Sequence, residues 1–93
     1  VNTAEMRNSI QLFFYDGPHD FESTKNAVMY YYTTFANEAI LVFDDANWDG
    51  VVNGAVTGLQ ECGAHVTYEK LMLNSEENAR EWWNGLYIVV IRK

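Results

Sequence analysis

Aspartates follow two short apolar segments of the chain, and a histidine lies close to the first aspartate. Asp16 follows IQLFFY, and His19 comes three residues later; Asp44 and Asp45 follow AILVF. If the two segments are neighbouring parallel strands, the carboxylates meet beyond the strands' carboxyl ends, where open α/β sheets bind ligands. Three carboxylates at one rim suit a hard divalent cation, Mg²⁺ or Ca²⁺. The sequence therefore predicts Asp16, Asp44 and Asp45 as metal ligands. His19 is then placed to accept a proton from a hydroxyl group that the cation also binds.

These residues also have an ordinary structural interpretation. Aspartate after a strand commonly forms a turn or caps a helix, so Asp16 could do no more than bind the amides of the next turn. A lone loop histidine such as His19 is more often a surface residue than a base. Trp48, Trp82 and Trp83 are interpreted as packing residues rather than as a substrate platform.

Hydrophobic patterning supplies the elements that would position the site. Asp20 is expected to cap the first helix, with Asn37 at its end, and Asn47 is expected to cap the second. Gly54 and Gly58 lie inside the second helix and are interpreted as points of close packing on the sheet. We predict strands over residues 10–15, 39–43, 64–71 and 86–91, with helices over about 21–35 and from Asn47 to just before Gly63.

The order strand–helix–strand–helix–strand–strand predicts one α/β domain, residues 1–93, with a mostly parallel sheet. The last strand is apolar throughout and is expected inside the sheet, whereas the alternating strand before it is expected at an edge. Parallel crossovers are right-handed in nearly all proteins, and both crossovers here run the same way. Both helices should therefore cover the same face and leave the other face of the sheet uncovered.

Composition limits the classes of partner. The chain has 93 residues, is 48% hydrophobic and carries a net charge of −7, which argues against nucleic acids and anionic membranes as partners. No apolar run approaches the roughly 20 residues of a membrane span. A single cysteine, Cys62, and a polar N-terminus without the features of a signal peptide predict a reducing, cytoplasmic location.

The stretch LFFYDGPHDFESTKNAVMYYYTTFANEAILVFDDANWDGV resembles the second half of a class I S-adenosylmethionine-dependent methyltransferase. It is most similar to the metal-dependent O-methyltransferases of the macrocin type. In that family the fourth strand runs into DG-x-H or DG-D, YEST-like residues open a helix, and the fifth strand runs into DD or ED. The matching residues here are Asp16-Gly17, His19, Phe21 to Thr24 and Asp44-Asp45, and the resemblance extends over residues 10–93.

The resemblance implies a partial Rossmann-like sheet with spatial order 4-5-7-6 and strand 7 antiparallel. It implies that Asp16, Asp44 and Asp45 hold the metal and that His19 is the general base. The glycine-rich loop and the acidic residue that bind the methyl donor belong to the family's first three strands, and this chain, which begins at Val1, has no counterpart. We therefore expect a fragment that is inactive alone, with S-adenosylmethionine bound only by a complete domain.

Two other interpretations stay open. The chain could be a standalone, non-catalytic module that assembles with itself, or a metal-binding domain of unrelated function. In either case, an uncovered apolar face and an unpaired first strand predict a homodimer or higher oligomer, formed through that face or through the edge strand Ile10–Tyr15. Trp82 and Trp83 could contribute to such an interface.

Overall fold

The computed structural model describes residues 8–73 and 85–93. They form an α/β fold with two helices and a mixed four-stranded sheet. The expectations for Trp82 and Trp83 lie outside the described residues. The elements in chain order are β1 (Ile10–Tyr15), α1 (Phe21–Tyr31), a turn of 3-10 helix (Tyr32–Thr34), β2 (Phe35–Asp44), α2 (Asp49–Glu61), β3 (His65–Met72) and β4 (Leu86–Arg92).

The strands lie in the order β1-β2-β4-β3. β1 and β2 are parallel, and β4 is antiparallel to both of its neighbours. Among the described strands, β4 is thus paired on both sides and β3 on one side only, which accounts for the difference between their hydrophobic patterns. β1 occupies the other edge of the described sheet, and its carboxyl end lies beside that of β2.

The first helix is shorter than its pattern predicts. α1 ends at Tyr31, and the chain is extended from Phe35 onward, so Asn37 lies in β2 rather than at a helix end. One local interaction and one long-range contact explain the early stop. The Thr34 hydroxyl donates to the Tyr31 carbonyl, which satisfies a C-terminal acceptor of the helix. Phe35 is fully buried and contacts Phe13 of β1, with 5.1 Å between ring centroids.

Asp20 caps α1 as predicted, because its carboxylate accepts a hydrogen bond from the Ser23 amide at 3.0 Å. The predicted cap of α2 was wrong by one residue. Trp48, with an extended backbone, is the N-cap residue, and its side chain makes no capping bond. Gly63 follows the end of α2 with φ +75°, the left-handed conformation expected of a glycine just past a helix.

The glycines of α2 face α1 rather than the sheet, which corrects the sequence interpretation. A Cβ atom on Gly54 would lie 2.6 Å from the Phe21 carbonyl oxygen, and one on Gly58 would lie 3.0 Å from the Val28 Cβ. A Cβ atom on Gly50 would likewise lie 2.8 Å from the Phe21 amide nitrogen. Glycine at every fourth position therefore lets the backbones of the two helices come close together.

The core lies between the helices and one face of the sheet. Buried side chains alternate along β4 and along β2 from Ala39, and together with Tyr15 of β1 they join buried residues of both helices in one cluster. The members that the structure buries most deeply are Val28, Phe35, Leu41, Phe43, Val51, Ala55, Val89 and Ile91.

The opposite side of the sheet, here called the open face, is left uncovered by α1 and α2, as the handedness argument predicts. Phe14 and Leu12 are 56% and 63% exposed there. The strand register aligns its side chains in two rows across the sheet. One row is Leu12, Ile40, Val90 and Tyr68; the next is Phe14, Val42, Ile88 and Lys70.

Candidate functional site

The structure brings the three predicted carboxylates together. Tyr15 of β1 lies beside Phe43 of β2, so the next residues, Asp16 and Asp44, end adjacent parallel strands at the same level. One oxygen from each of Asp16, Asp44 and Asp45 lies within 4.8 Å of the others. Asp16 is exposed, and the other two are half-buried. The cluster therefore lies at the rim of the sheet, with one side open to solvent.

The turn after β2 places the third carboxylate. Asp45 adopts the left-handed conformation, with φ +60°, and its carbonyl accepts a hydrogen bond from the Trp48 amide at 3.1 Å. The next residue, Ala46, is buried, and its amide donates to the Gly85 carbonyl at 3.3 Å. An uncommon backbone conformation for a residue with a side chain is thus held by the first turn of α2 and by the chain entering β4.

Gly85 is a contributor to the site that sequence reasoning missed. Its φ is +87°, and a Cβ atom there would lie 2.6 Å from Asn47 Oδ1 and 3.0 Å from the Met72 carbonyl oxygen. Only glycine fits between the turn after β2 and the end of β3. The available signal was a glycine directly before an apolar strand, which marks a turn but does not say which segment the turn contacts.

The carboxylates interact electrostatically. Burial raises the pKa of Asp44 above its usual range, and the negative charges of Asp45 and Asp16 add to the increase, while a hydrogen bond from the Asp45 backbone opposes it. The side chains of Asp44 and Asp16 also share a hydrogen bond that favours the protonated form. This is the behaviour of clustered carboxylates whose mutual repulsion is relieved either by a proton or by a cation.

His19 lies in the loop that begins with Asp16. Its ring stacks on Trp48, with 4.3 Å between centroids and 27° between planes. Trp48, the N-cap residue of α2, comes three residues after Asp45, so the stack joins the loop after β1 to the loop after β2. Trp48, which is 41% exposed, therefore packs as a bridge between the two loops rather than in the buried core.

The loop that carries His19 is fixed at both ends. The Tyr15 hydroxyl donates to the Pro18 carbonyl at 2.6 Å, and Gly17 lies against the Tyr15 ring. At the other end, Asp20 caps α1, and the Thr24 hydroxyl donates to the Asp20 carbonyl at 2.9 Å. The imidazole is thus exposed on a short, anchored loop that begins at Asp16.

Comparisons with known proteins add no assignment, because neither a protein-family model nor a curated protein sequence matches this chain. Within residues 8–73 and 85–93, no helix has the length and apolar character needed to cross a bilayer.

Proposed function

We propose that this chain is the C-terminal half of an S-adenosylmethionine-dependent, metal-dependent O-methyltransferase domain, and that it carries the metal and acceptor side of the site. The observation that carries the proposal is the approach of Asp16, Asp44 and Asp45 to within 4.8 Å at the carboxyl ends of two adjacent parallel strands. The strand order β1-β2-β4-β3 supports it, since strands four, five, seven and six of the resembled family would lie in this order.

The donor set fits a hard cation. Carboxylate oxygens are the ligands that Mg²⁺ and Ca²⁺ prefer, and the exposed side of the cluster leaves room for water and for an acceptor hydroxyl. Asp16, Asp44 and Asp45 would hold the cation. A bound cation would supply positive charge that lowers the pKa of an acceptor hydroxyl.

His19 would act as the general base. A neutral imidazole can accept the hydroxyl proton on a ring nitrogen. Its stack on Trp48 fixes the plane of the ring. The residues that would bind the methyl donor have no counterpart in these 93 residues. A complete domain would therefore be needed to place the sulfonium methyl group in line with the acceptor oxygen.

A cation titration tests the metal assignment. Mg²⁺ and Ca²⁺ are titrated separately into the chain, with binding followed by calorimetry and by the chemical shifts of the residues around the cluster. We expect Asp45→Asn to weaken binding about tenfold or more, because it removes a charged ligand. Asp49→Asn is the matched control, since it removes an exposed carboxylate four residues further on and outside the cluster. Equal affinities in the two variants would refute the metal site.

A titration with S-adenosylmethionine tests the half-domain separately. We expect no heat of binding at micromolar concentrations, because the donor-binding half is missing. Micromolar affinity would overturn the fragment interpretation without affecting the cation result.

The second candidate function is a non-catalytic module that assembles with itself. The exposure of Leu12 and Phe14 on the open face favours it. A self-associating chain without cation affinity would support this candidate over the first.

A further inference from the structure

The open face has the composition of an interface, with an apolar centre and charged ends. Its central positions, on β2 and β4, are the aliphatic residues Ile40, Val42, Ile88 and Val90. At one end of these strands, Arg92 and Glu38 form an exposed ion pair at 3.2 Å. An apolar centre within a polar, solvent-accessible rim is the usual arrangement of a protein–protein contact.

The charges of the open face are also distributed unevenly between its two halves. The register places Glu38 and Asp44 on β2, and Arg92 and Lys70 on β4 and β3, while Asp16 directly follows β1. One half of the face is therefore acidic at its ends, and the other half is basic. The boundary between them runs between the two central strands.

We propose that a second copy of this chain covers the open face, across a two-fold axis that runs along the strands between β2 and β4. This axis lays β1 of each copy over β3 of the other, and β2 over β4. It therefore places Glu38 over Arg92 of the second copy. It also places Lys70 close to Asp16 of the second copy, with an offset of one row of side chains, roughly 7 Å along the strands. In the centre, Ile40 meets Val90.

The other two-fold arrangement of the same faces is electrostatically unfavourable. An axis perpendicular to the strands lays β2 over β2 of the second copy in the reverse direction, which places Asp44 over Glu38. Like charges brought together at an interface oppose association, particularly for a chain whose net charge is already −7. The acidic and basic halves thus favour the axis along the strands.

The size of the face sets the expected strength. Four strands about 4.8 Å apart and about 20 Å long give a flat area on the order of 400 Å² in each copy. With the contribution of side chains, a symmetric pair would bury on the order of 1,000 Å² in total, near the lower limit for a specific interface. We therefore expect a dissociation constant in the micromolar range, rather than an obligate dimer.

Sedimentation equilibrium over a micromolar concentration series tests the interface. Ile40→Glu introduces a charge at the centre of the open face, and Met29→Glu is the matched control, since Ile40 is 44% exposed and Met29, on α1, is 42% exposed. We expect Ile40→Glu to raise the dissociation constant at least about 30-fold, as for a central interface residue, and Met29→Glu to leave it unchanged. Circular dichroism confirms that both variants are folded. A monomeric wild type, as expected if another part of the same chain covers the face, would overturn the proposal. Equal effects of the two variants would overturn it as well.

Chemical cross-linking tests the axis. Leu12→Cys and Tyr68→Cys are prepared separately, each with Cys62→Ser, and joined by a bismaleimide that spans about 10 Å, the spacing of packed sheets. We expect cross-linked dimers to form several-fold more in a mixture of the two variants than in either alone, because Leu12 faces Tyr68 of the other copy. A higher yield of cross-linked dimer from the Leu12→Cys protein alone than from the mixture would reject this axis.

Discussion

Replacement of Gly54 by alanine tests the close approach of the two helices, on which the position of the site depends. In an open helix this change stabilises the protein by up to about 1 kcal/mol, since alanine is the better helix former. Here the new methyl group would lie 2.6 Å from the Phe21 carbonyl oxygen and 2.9 Å from the Thr24 Cβ. Both atoms belong to α1, and one of them is backbone, so no side-chain rotation relieves the contact.

The helices must therefore separate by several tenths of an ångström. Overpacking of this kind costs about 1–3 kcal/mol, which exceeds the gain in helix propensity, so we expect a net loss of about 1–2 kcal/mol. For a chain of this size the melting temperature should fall by roughly 4–15 °C. Because Phe21 directly follows the Asp20 cap, the displacement should also reach the loop that holds His19, and it should be visible as a change in the His19 ring resonances.

Thermal unfolding followed by circular dichroism provides the measurement, with Asn53→Ala as the control. Asn53 is the preceding residue of α2 and is exposed, so its replacement should stabilise the helix by a few tenths of a kcal/mol. If Gly54→Ala raises the melting temperature as Asn53→Ala does, the helices are not in contact at Gly54 and the packing described above is wrong.

Two further predictions concern the rim of the sheet. Because the pKa of Asp44 is raised in the folded chain, its contribution to the unfolding free energy should decrease as pH rises above about 4. Asp44→Asn should remove that part of the pH dependence and be more stable than the wild type at about pH 7; urea unfolding at several pH values would measure it, and equal slopes for variant and wild type would contradict it. Gly85→Ala should destabilise the protein by roughly 1 kcal/mol more than Gly63→Ala, since both glycines have positive φ but, of the two, only Gly85 has neighbours within 4 Å. Melting temperatures compare the two variants, and equal losses of stability would show that the turn after β2 is not held at Gly85.

The sequence predicts best those features that depend on short-range patterning. β1 begins and ends where the IQLFFY segment does, because a run bounded by Ser9 and by Gly17-Pro18 leaves little choice of ends. The approach of Asp16 to Asp44 follows from strand pairing alone, since adjacent parallel strands end at the same rim. The open face likewise follows from the handedness of two crossovers, without knowledge of any contact.

Features decided by long-range contacts were missed. The apolar periodicity of α1 continues through Phe35, a residue that would suit either a helix or a strand. The burial of Phe35 against Phe13 decides in favour of the strand. The glycines of α2 indicate close packing but do not identify their partner. The turn at Asp45 depends on Gly85, forty residues away in the chain, and no local rule connects the two.

The carboxylate cluster and the open face are parts of the same surface, and this links the two proposals physically. Leu12 and Phe14 of β1 lie on the open face and Asp16 directly follows the strand, so the carboxylate cluster lies at the end of the apolar rows. A second copy on the open face would remove water from one side of the cluster, which strengthens its electrostatic interactions and increases the cost of three uncompensated carboxylates. A cation would then neutralise charge at the edge of the contact and reduce the repulsion between two copies of net charge −7. Cation binding and self-association should therefore favour each other, and by linkage the effect must be equal in both directions.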